Sequence, residues 1–308
     1  MGRPRGKFLA RGACWAERGA VAYTVTFWGT RGSIPTPGAH TARYGGNTSC
    51  VAVSGAPDQL VILDAGSGIR LLGRELSRVA TAPMQLDILL SHTHWDHIQG
   101  LPFFQPLNTK GNSVRIYGSA QAGVPLEEIL DRQMDPVVFP VPLKALAADL
   151  TITEVQHGSF EIDGFKVEAF RLRHPGSTLG YKLVPVAGGR PMAYLTDNEL
   201  GSGGSYDVPP DWREQLVRFL RGVDTLIHDG MYPESIIEAR AGWGHSTPQQ
   251  AIALAGEAGC RRLVLFHHEP EHDDAAIDAL LVAARSFAAT HAPGLVVDAA
   301  MEGMALTL

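Results

Sequence analysis

The chain has few cysteines and no long apolar run, and each shortage excludes a class of protein. Its 308 residues include only Cys14, Cys50 and Cys260, and they contain no CxxC pair. We therefore expect neither a disulfide framework nor a thiolate zinc site, and a cytoplasmic location is the default. No segment approaches the roughly 18 consecutive apolar residues of a membrane helix, so we expect no membrane partner.

Positive charge is also scarce. The formal net charge is −6 at pH 7, and the sequence has no long basic run. This balance argues against a protein whose main task is to hold nucleic-acid backbones. The first 22 residues carry four arginines and one lysine but lack the apolar core of a signal peptide. We predict that residues 1–22 form a poorly ordered extension and that residues 23–308 form a single domain.

Histidine, by contrast, is abundant: the chain has 12, and three of them lie within six residues. The segment HTHWDH (92–97) directly follows the apolar run LDILL (86–90), which is typical of a buried strand. In an extended backbone His92 and His94 point to the same side, whereas the adjacent Asp96 and His97 point differently. Histidine is the commonest metal ligand in proteins. These four side chains split into two pairs, which suits two neighbouring metal ions better than one.

The pattern of apolar segments predicts strands at both ends of the chain, with helices between and outside them. The helix with the clearest end signals covers residues 246–259. Thr247 can act as its N-cap and Gln250 can complete a capping box. Pro248 occupies the first helical position and Gly259 can end the helix. Two sheets packed on each other, with helices on the outer faces, would bury this pattern.

Several motifs, taken in order, resemble the metallo-β-lactamase superfamily of metal-dependent hydrolases over about residues 23–308. They are LDAGSG (63–68), HTHWDH (92–97), His174 at the end of an alternating strand, Asp197 in YLTD, and His267 in LVLFHH. The resemblance implies an α/β protein with a four-layer αβ/βα sandwich. It also implies that loops at the strand ends hold metal ions at one edge of the two sheets.

The resemblance further implies roles for individual side chains. One metal ion would be bound by His92, His94 and His174. The second would be bound by Asp96, His97 and His267, and Asp197 would bridge the two ions. Asp64 would be a structural residue beside the metal loop. Five imidazoles and two carboxylates suit Zn²⁺, with Mn²⁺ or Fe as alternatives.

Two further segments, LIHDGMY (226–232) and GWGHSTPQQA (242–251), resemble the phosphodiesterase branch of the superfamily. That branch includes tRNase Z and the phosphoribosyl cyclic phosphate phosphodiesterases. By position, Asp229 would support His245, and His245 would assist the leaving oxygen. A carboxylate beside an imidazole raises the imidazole's pKa, and an expelled alkoxide needs a nearby proton donor. We expect Asp96 to be catalytic as well as a metal ligand.

We therefore predict a dinuclear metal phosphodiesterase that hydrolyses a small or cyclic phosphodiester, such as a cyclic nucleotide, with a hydroxide shared by the two metals. The first alternative is a tRNA 3′-end endonuclease, although the chain lacks the long basic, glycine-rich arm with which tRNase Z holds tRNA. Hydrolysis of a thioester, lactone or β-lactam would give His245 no obvious role. A non-catalytic ligand-binding module would not need the complete ligand set. We expect no stable nucleic-acid partner, and a homodimer is left open.

Three smaller questions are left open by the sequence. The last ligand position could fall on His267 or His268, and register with the family's closing strand motif favours His267. His228 could support the site or simply be packed. The apolar, proline-rich segment 134–143 could cover a substrate or pack on the core.

Overall fold

The computed structural model describes residues 22–55, 59–162 and 164–308. The predicted extension at residues 1–22 therefore lies, apart from residue 22, outside the described residues, and so does Cys14. No helix in the described ranges is long and apolar enough to cross a membrane. The compartment stays a prediction.

Within the described residues the first sheet has seven strands. They are β1 (Thr24–Gly29), β2 (Cys50–Ser54), β3 (Leu60–Leu63), β4 (Gln85–Leu89), β5 (Ser113–Gly118), β6 (Asp149–Glu154) and β14 (Ala305–Thr307). Their order across the sheet is β14-β1-β2-β3-β4-β5-β6. Strands β3 to β6 pair in parallel, whereas β14, β1, β2 and β3 pair antiparallel.

The second sheet also has seven strands in the part of the chain that the structure describes. They are β7 (Gly158–Ile162), β8 (Phe165–Arg171), β9 (Leu179–Pro185), β10 (Met192–Leu195), β11 (Thr225–Asp229), β12 (Arg262–Phe266) and β13 (Val296–Ala299). Their order is β13-β12-β11-β10-β9-β8-β7. Strands β10 to β13 are parallel, and β7 to β10 are antiparallel.

The two sheets pack face to face around a shared apolar core. Val25 and Phe27 of β1 alternate inward and meet side chains such as Val167 of β8 and Tyr181 of β9, all of them fully buried. Alternating β-branched and aromatic residues favour this arrangement because successive side chains of a strand point to opposite faces. The core therefore joins the N-terminal and C-terminal halves of the chain.

Helices cover the outer face of each sheet. On the first sheet these are α1 (Ile69–Val79), α2 (Trp95–Ile98) and α3 (Leu126–Gln133); on the second they are α4 (Trp212–Leu220), α5 (Pro248–Ala258) and α6 (Asp274–His291). Short 3₁₀ helices cover Ala39–Thr41, Leu101–Phe103, Gln105–Asn108, Leu143–Ala145 and Ile237–Arg240. The predicted four-layer αβ/βα sandwich is confirmed, and each apolar sheet face is buried.

The end signals of helix α5 are confirmed in detail. The Thr247 side chain accepts a hydrogen bond from the Gln250 amide, and the Gln250 side chain accepts one from the Thr247 amide. Pro248 begins the helix, and Gly259 ends it in the left-handed conformation at φ 76°. This capping fixes the point at which the chain leaves the preceding loop.

The strands β6, β7 and β14 have only a weak apolar pattern in the sequence. Each lies at an edge of its sheet, and most of their residues are exposed or only partly buried. An edge strand needs no continuous apolar face, so it leaves only a weak pattern in the sequence.

Replacing Tyr181 with phenylalanine tests whether the core supports the HTHWDH segment (92–97). The buried Tyr181 hydroxyl donates a 2.7 Å hydrogen bond to the carbonyl of Leu90, the last residue of the apolar run before HTHWDH. We expect Tyr181→Phe to lower the free energy of unfolding by about 1 kcal/mol, because a buried carbonyl loses its partner. Urea unfolding followed by circular dichroism measures the change. An unchanged midpoint would contradict this role.

Candidate active site

The carboxyl ends of several parallel strands meet at one edge of the sandwich, and polar side chains follow each of them. They are Asp64 after β3, the 92–97 segment after β4, Asp197 after β10, Asp229 at the end of β11 and His267 after β12. In open α/β sheets this edge is the usual place for ligands, because the loops there converge. The candidate site is therefore assembled from both sheets.

Two groups of potential metal ligands lie side by side at this edge. The first contains His92, His94 and His174, and the second contains Asp96, His97, Asp197 and His267. Within each group, one ligand atom per residue lies within 4.8 Å of the others. All of these residues are buried except His94, which is exposed. The site consequently opens to solvent on the His94 side.

The Asp197 carboxylate lies between the two groups. Its Oδ2 atom is 3.7 Å from Nε2 of both His92 and His174. Its Oδ1 atom is 3.4 Å from Nε2 of His97 and 3.1 Å from Nε2 of His267. Each oxygen faces one group, which is the geometry that a bridging carboxylate requires.

Hydrogen bonds at the Nδ1 atom orient three of the imidazoles. The pairs are His97 Nδ1 with Asp64 Oδ2 at 2.8 Å, His92 Nδ1 with Ser91 Oγ at 3.0 Å, and His174 Nδ1 with the Gly244 carbonyl at 3.0 Å. Asp64 also accepts hydrogen bonds from the Ser91 amide and the Tyr194 hydroxyl, each 2.7 Å long. Such partners set the tautomer and the direction of metal-binding histidines.

The buried nitrogen atoms of the two ligand groups indicate whether the groups are suited to cations. In the described part of the chain, Nε2 of His92 is buried and has no hydrogen-bond partner. Nε2 of His97 is also buried, and its contacts are ion-pair distances of 3.2 Å to Asp96 and 3.4 Å to Asp197. A buried polar atom without a partner costs free energy, and a metal ion at this point would remove that cost. Imidazole nitrogens and carboxylate oxygens at these distances are ligands for divalent transition metals. The residues therefore fit two cations.

The ionisation of the cluster also suits cations. Burial opposes the charge on Asp197, but His267 and His97 hold the pKa of its carboxyl well below its usual range. Burial lowers the pKa of His92 well below its usual value. Burial acts the same way on His97, but Asp96 and Asp197 raise its pKa well above the usual value. A metal ion at His97 would therefore displace a proton.

The loop at residues 29–38 also contributes to the site, a role for which the sequence offers only the hint of a glycine-rich turn. The Ser33 amide donates a 2.7 Å hydrogen bond to Asp96 Oδ2, and Ser33 has a φ of 59°. A Cβ atom on Gly32 would lie 2.4 Å from Cε1 of His267. Only glycine fits at position 32 without displacing that imidazole.

Left-handed backbone recurs at the strand ends that carry the site. Asp64 has a φ of 60°, Asp197 of 51° and His267 of 60°. Such conformations cost roughly 1 kcal/mol or more for a residue with a side chain, and they persist where the surroundings enforce them. The sharp turns that they make direct three functional side chains into one cluster.

His245 and Asp229 form a buried pair beside the two groups. His245 Nδ1 lies 2.6 Å from Asp229 Oδ2. The His245 ring stacks on His267 with centroids 5.1 Å apart and meets His174 at 5.3 Å. Burial by itself would lower the pKa of His245, but the charge and hydrogen bond of Asp229 raise it to about 9. The imidazole is therefore protonated at neutral pH in the metal-free protein.

Glu199 is a positioning residue that the sequence analysis missed. Its buried Oε2 atom accepts hydrogen bonds from the Gly242 amide at 2.9 Å, the Gly244 amide at 3.0 Å and the Tyr206 hydroxyl at 2.6 Å. The Gly244 carbonyl in turn contacts His174, and His245 follows directly. The only signal in the sequence was its place two residues after Asp197.

The residues that the sequence left open differ in their surroundings. His268 Nε2 bonds the Ala300 carbonyl at 2.9 Å and lies outside both groups, so the geometry favours His267 as the ligand. His228 is fully buried and contacts the Asn198 side chain at 3.1 Å. Within segment 134–143, Met134 is buried in the core of the first sheet. Phe139 is partly buried and meets Phe103 edge-on at 5.5 Å.

Comparison with known families identifies the class of protein. The Beta-lactamase superfamily domain matches residues 60–268, which is more than half of the chain. The chain therefore belongs to the beta-lactamase superfamily, and it is a metal-dependent hydrolase. The fold of this family implies divalent metal ions, which the two groups of ligands could hold.

Two relatives and one solved structure show which individual proteins the chain is similar to. Ribonuclease Z of Methanosarcina acetivorans is 28% identical over 290 residues, which cover 81% of this chain and 88% of the relative. Ribonuclease BN of Escherichia coli is 28% identical over 304 residues, covering 85% and 94% of the two chains. The crystal structure of the metallo-β-lactamase fold protein YhfI from Bacillus subtilis superposes with a TM-score of 0.66 at 19% identity, covering 94% of this chain and all of YhfI.

Replacing Asp229 with asparagine should change the titration of His245. The parent imidazole should titrate near pH 9 in the metal-free protein, as measured by ¹⁵N NMR of the histidine side chains. In Asp229→Asn the pKa should fall, because burial persists and the charge of Asp229 is lost, while Asp197 and Asp96 still act in the opposite direction.

The same pair links pH to stability. Because the folded-state pKa of His245 exceeds the unfolded value of 6.5, its contribution to stability is complete below pH 6.5 and is lost as the pH rises through about 9. A parent titration near 6.5 would contradict the proposed charge state of this pair.

Substitutions of Glu199 test its positioning role. Glu199→Leu leaves two glycine amides without their acceptor, so we expect the affinity for Zn²⁺ to fall about 10- to 100-fold through misplacement of His174. Glu199→Gln keeps an acceptor oxygen and should lose less. Competition with a chromogenic zinc chelator measures the affinity, and calorimetric melting reports separately on stability. Loss of stability with unchanged zinc affinity in Glu199→Leu would indicate a purely structural role.

Proposed function

We propose that this protein is a dinuclear metal phosphodiesterase that cleaves RNA, with tRNA 3′-end processing as the specific activity. Relatives named ribonuclease Z and ribonuclease BN, matching 81% and 85% of the chain, support this assignment. They favour the alternative from the sequence analysis over the small cyclic phosphodiester that the composition suggested. The net charge of −6 and the missing basic arm had instead made a small phosphodiester the leading candidate in the sequence analysis.

The observation that carries the proposal is the pairing of His245 with Asp229 directly beside the ligand cluster. Hydrolysis of a phosphodiester breaks the bond between phosphorus and an ester oxygen, and that oxygen needs a proton as it leaves. Asp229 occupies Nδ1 of His245 at 2.6 Å, so the imidazole would donate its proton from Nε2. Hydrolysis of a thioester gives such a pair a smaller role, because a thiolate leaves without protonation.

The two ligand groups have complementary roles in this proposal. His92, His94 and His174 would hold one divalent ion, Asp96, His97 and His267 would hold the other, and Asp197 would bridge them. When bound, the ions would acidify a water molecule and supply positive charge to the phosphate. We propose Zn²⁺, since five imidazoles dominate the donor set. The Ser33 amide and Asp64 would keep Asp96 and His97 in place.

A small phosphodiester is the second candidate, and the charge of the chain favours it. The net charge is −6, and no long basic run is available to hold an RNA backbone. Affinity for RNA depends strongly on phosphate contacts from lysine and arginine. A substrate that is recognised only near the scissile phosphate would need fewer such contacts.

His245→Ala tests the proton-donor role. We expect the zinc content to stay at two equivalents, because Asp197 and the other ligands are intact. Turnover of an RNA substrate should fall about 10²- to 10⁴-fold, since its alkoxide leaving group needs a proton. Hydrolysis of bis(p-nitrophenyl) phosphate should fall much less, because nitrophenolate leaves unprotonated. An equal loss with both substrates would contradict the assignment.

The substrate class is tested with one panel on zinc-reconstituted protein. Precursor tRNA with a 3′ trailer, cyclic nucleotides and linear dinucleotides represent the two candidates, and nitrocefin and a thioester represent the rejected chemistry. We expect precursor tRNA to be cleaved at its 3′ end and chelation to abolish the activity. Turnover of nitrocefin or the thioester without any phosphodiester turnover would overturn the proposed function.

A further inference from the structure

An exposed indole lies at the edge of the candidate site. Trp243 is 52% exposed and precedes His245 by two residues. The guanidinium of Arg240 lies over its ring, with Cζ 4.3 Å from the centroid, and is also 5.8 Å from the centroid of Tyr232. Tyr232 meets the His245 imidazole edge-on at 5.7 Å. A continuous row of planar groups therefore leads from solvent to the proposed proton donor.

Arg240 has hydrogen-bonding capacity that its surroundings leave unused. Its Nε atom is buried and has no hydrogen-bond partner among the described residues. In the same part of the chain Arg240 forms no ion pair within 4.0 Å, and its charge interacts with that of Glu269 at longer range. A stacked guanidinium with free donors is suited to a phosphate or a ribose, which it can bind without leaving the indole.

The loop that carries Trp243 is held in place before any ligand arrives. The amides on both sides of Trp243, those of Gly242 and Gly244, bond to Glu199. The Trp243 amide itself donates to the Arg240 carbonyl at 3.0 Å. Because the backbone is already ordered, a ligand that stacks on the indole loses little free energy to ordering of the loop.

We infer that Trp243 and Arg240 form a nucleotide subsite that holds the residue on the leaving-group side of the scissile phosphate. The base would stack on Trp243, and Arg240 would donate to the attached ribose or phosphate. An aromatic ring combined with a guanidinium plane is a common way to bind an unpaired base. The position next to His245 assigns the subsite to the side that receives the proton. This inference rests on the proposed function.

Direct binding measurements test the subsite without relying on turnover. Isothermal titration calorimetry on zinc-reconstituted protein compares adenosine 5′-monophosphate with ribose 5-phosphate, which lacks the base. We expect the parent to bind the nucleotide about tenfold more tightly, at the lower end of what one stacked base contributes. Trp243→Ala should reduce this ratio to about one, and Trp243→Phe should retain part of it. Arg240→Gln should weaken the binding of both ligands.

Phe103→Ala is the control, because Phe103 is 57% exposed, lies outside both ligand groups and has no cation stacked on it in the described residues. This variant should keep the base preference. Unchanged zinc content and circular dichroism show that each variant is folded. The subsite is wrong if the parent shows no base preference, if Trp243→Ala retains it, or if Phe103→Ala removes it.

Failure of the subsite and failure of the proposed function are distinguishable. Hydrolysis of phosphodiesters by a parent protein that lacks base preference would overturn the subsite and leave the phosphodiesterase assignment standing. Base preference that depends on Trp243 in a protein that hydrolyses no phosphodiester would support the subsite and overturn the proposed function.

Discussion

The Asp197 carboxylate, placed between two sets of imidazoles, is the contact on which the rest of the site depends. Its oxygens lie 3.1–3.7 Å from the Nε2 atoms of four histidines that come from three separate loops. Charges and unpaired nitrogens are expensive in a buried environment. The fold nevertheless concentrates them here, which is physically reasonable when cations complete the site. The surrounding structure holds the ligands in place for them.

That support comes from both sheets. Asp64, at the end of β3, binds His97 and Ser91 from the first sheet and the hydroxyl of Tyr194 from the second. A single buried carboxylate thereby ties the metal loop to the opposite layer of the sandwich. Left-handed turns at Asp64, Asp197 and His267 add local strain, which the packed strands around them must offset. The site is consequently attached to both sheets.

In our proposal, the loop before α5 combines positioning, proton transfer and recognition in a few residues. Glu199 fixes Gly242 and Gly244, and Gly244 orients His174. The intervening Trp243 and the following His245 are then set at defined positions relative to the ligand cluster. In our proposal, the buried carboxylate of Glu199 thus fixes the positions of both the proton donor and the surface that would bind the leaving nucleotide. This arrangement gives a structural role to Gly242 and Gly244, which both have positive φ angles.

Much of this protein could be predicted from the sequence, because dense local motifs carry their own physical meaning. The HTHWDH segment after a buried strand indicated metal ligands, and the capping residues around α5 determined its ends. The resemblance of dispersed motifs to one superfamily predicted the four-layer fold. The same resemblance implied which distant ligands belong together, and only the tertiary structure revealed the residues that support them. Glu199, Ser33 and the stack of Arg240 on Trp243 depend on contacts between loops far apart in the chain, and such contacts leave no periodic pattern in the sequence. The edge strands β6, β7 and β14 also became evident only in the tertiary structure, because their pairing with a neighbouring strand defines them and they have no continuous apolar face.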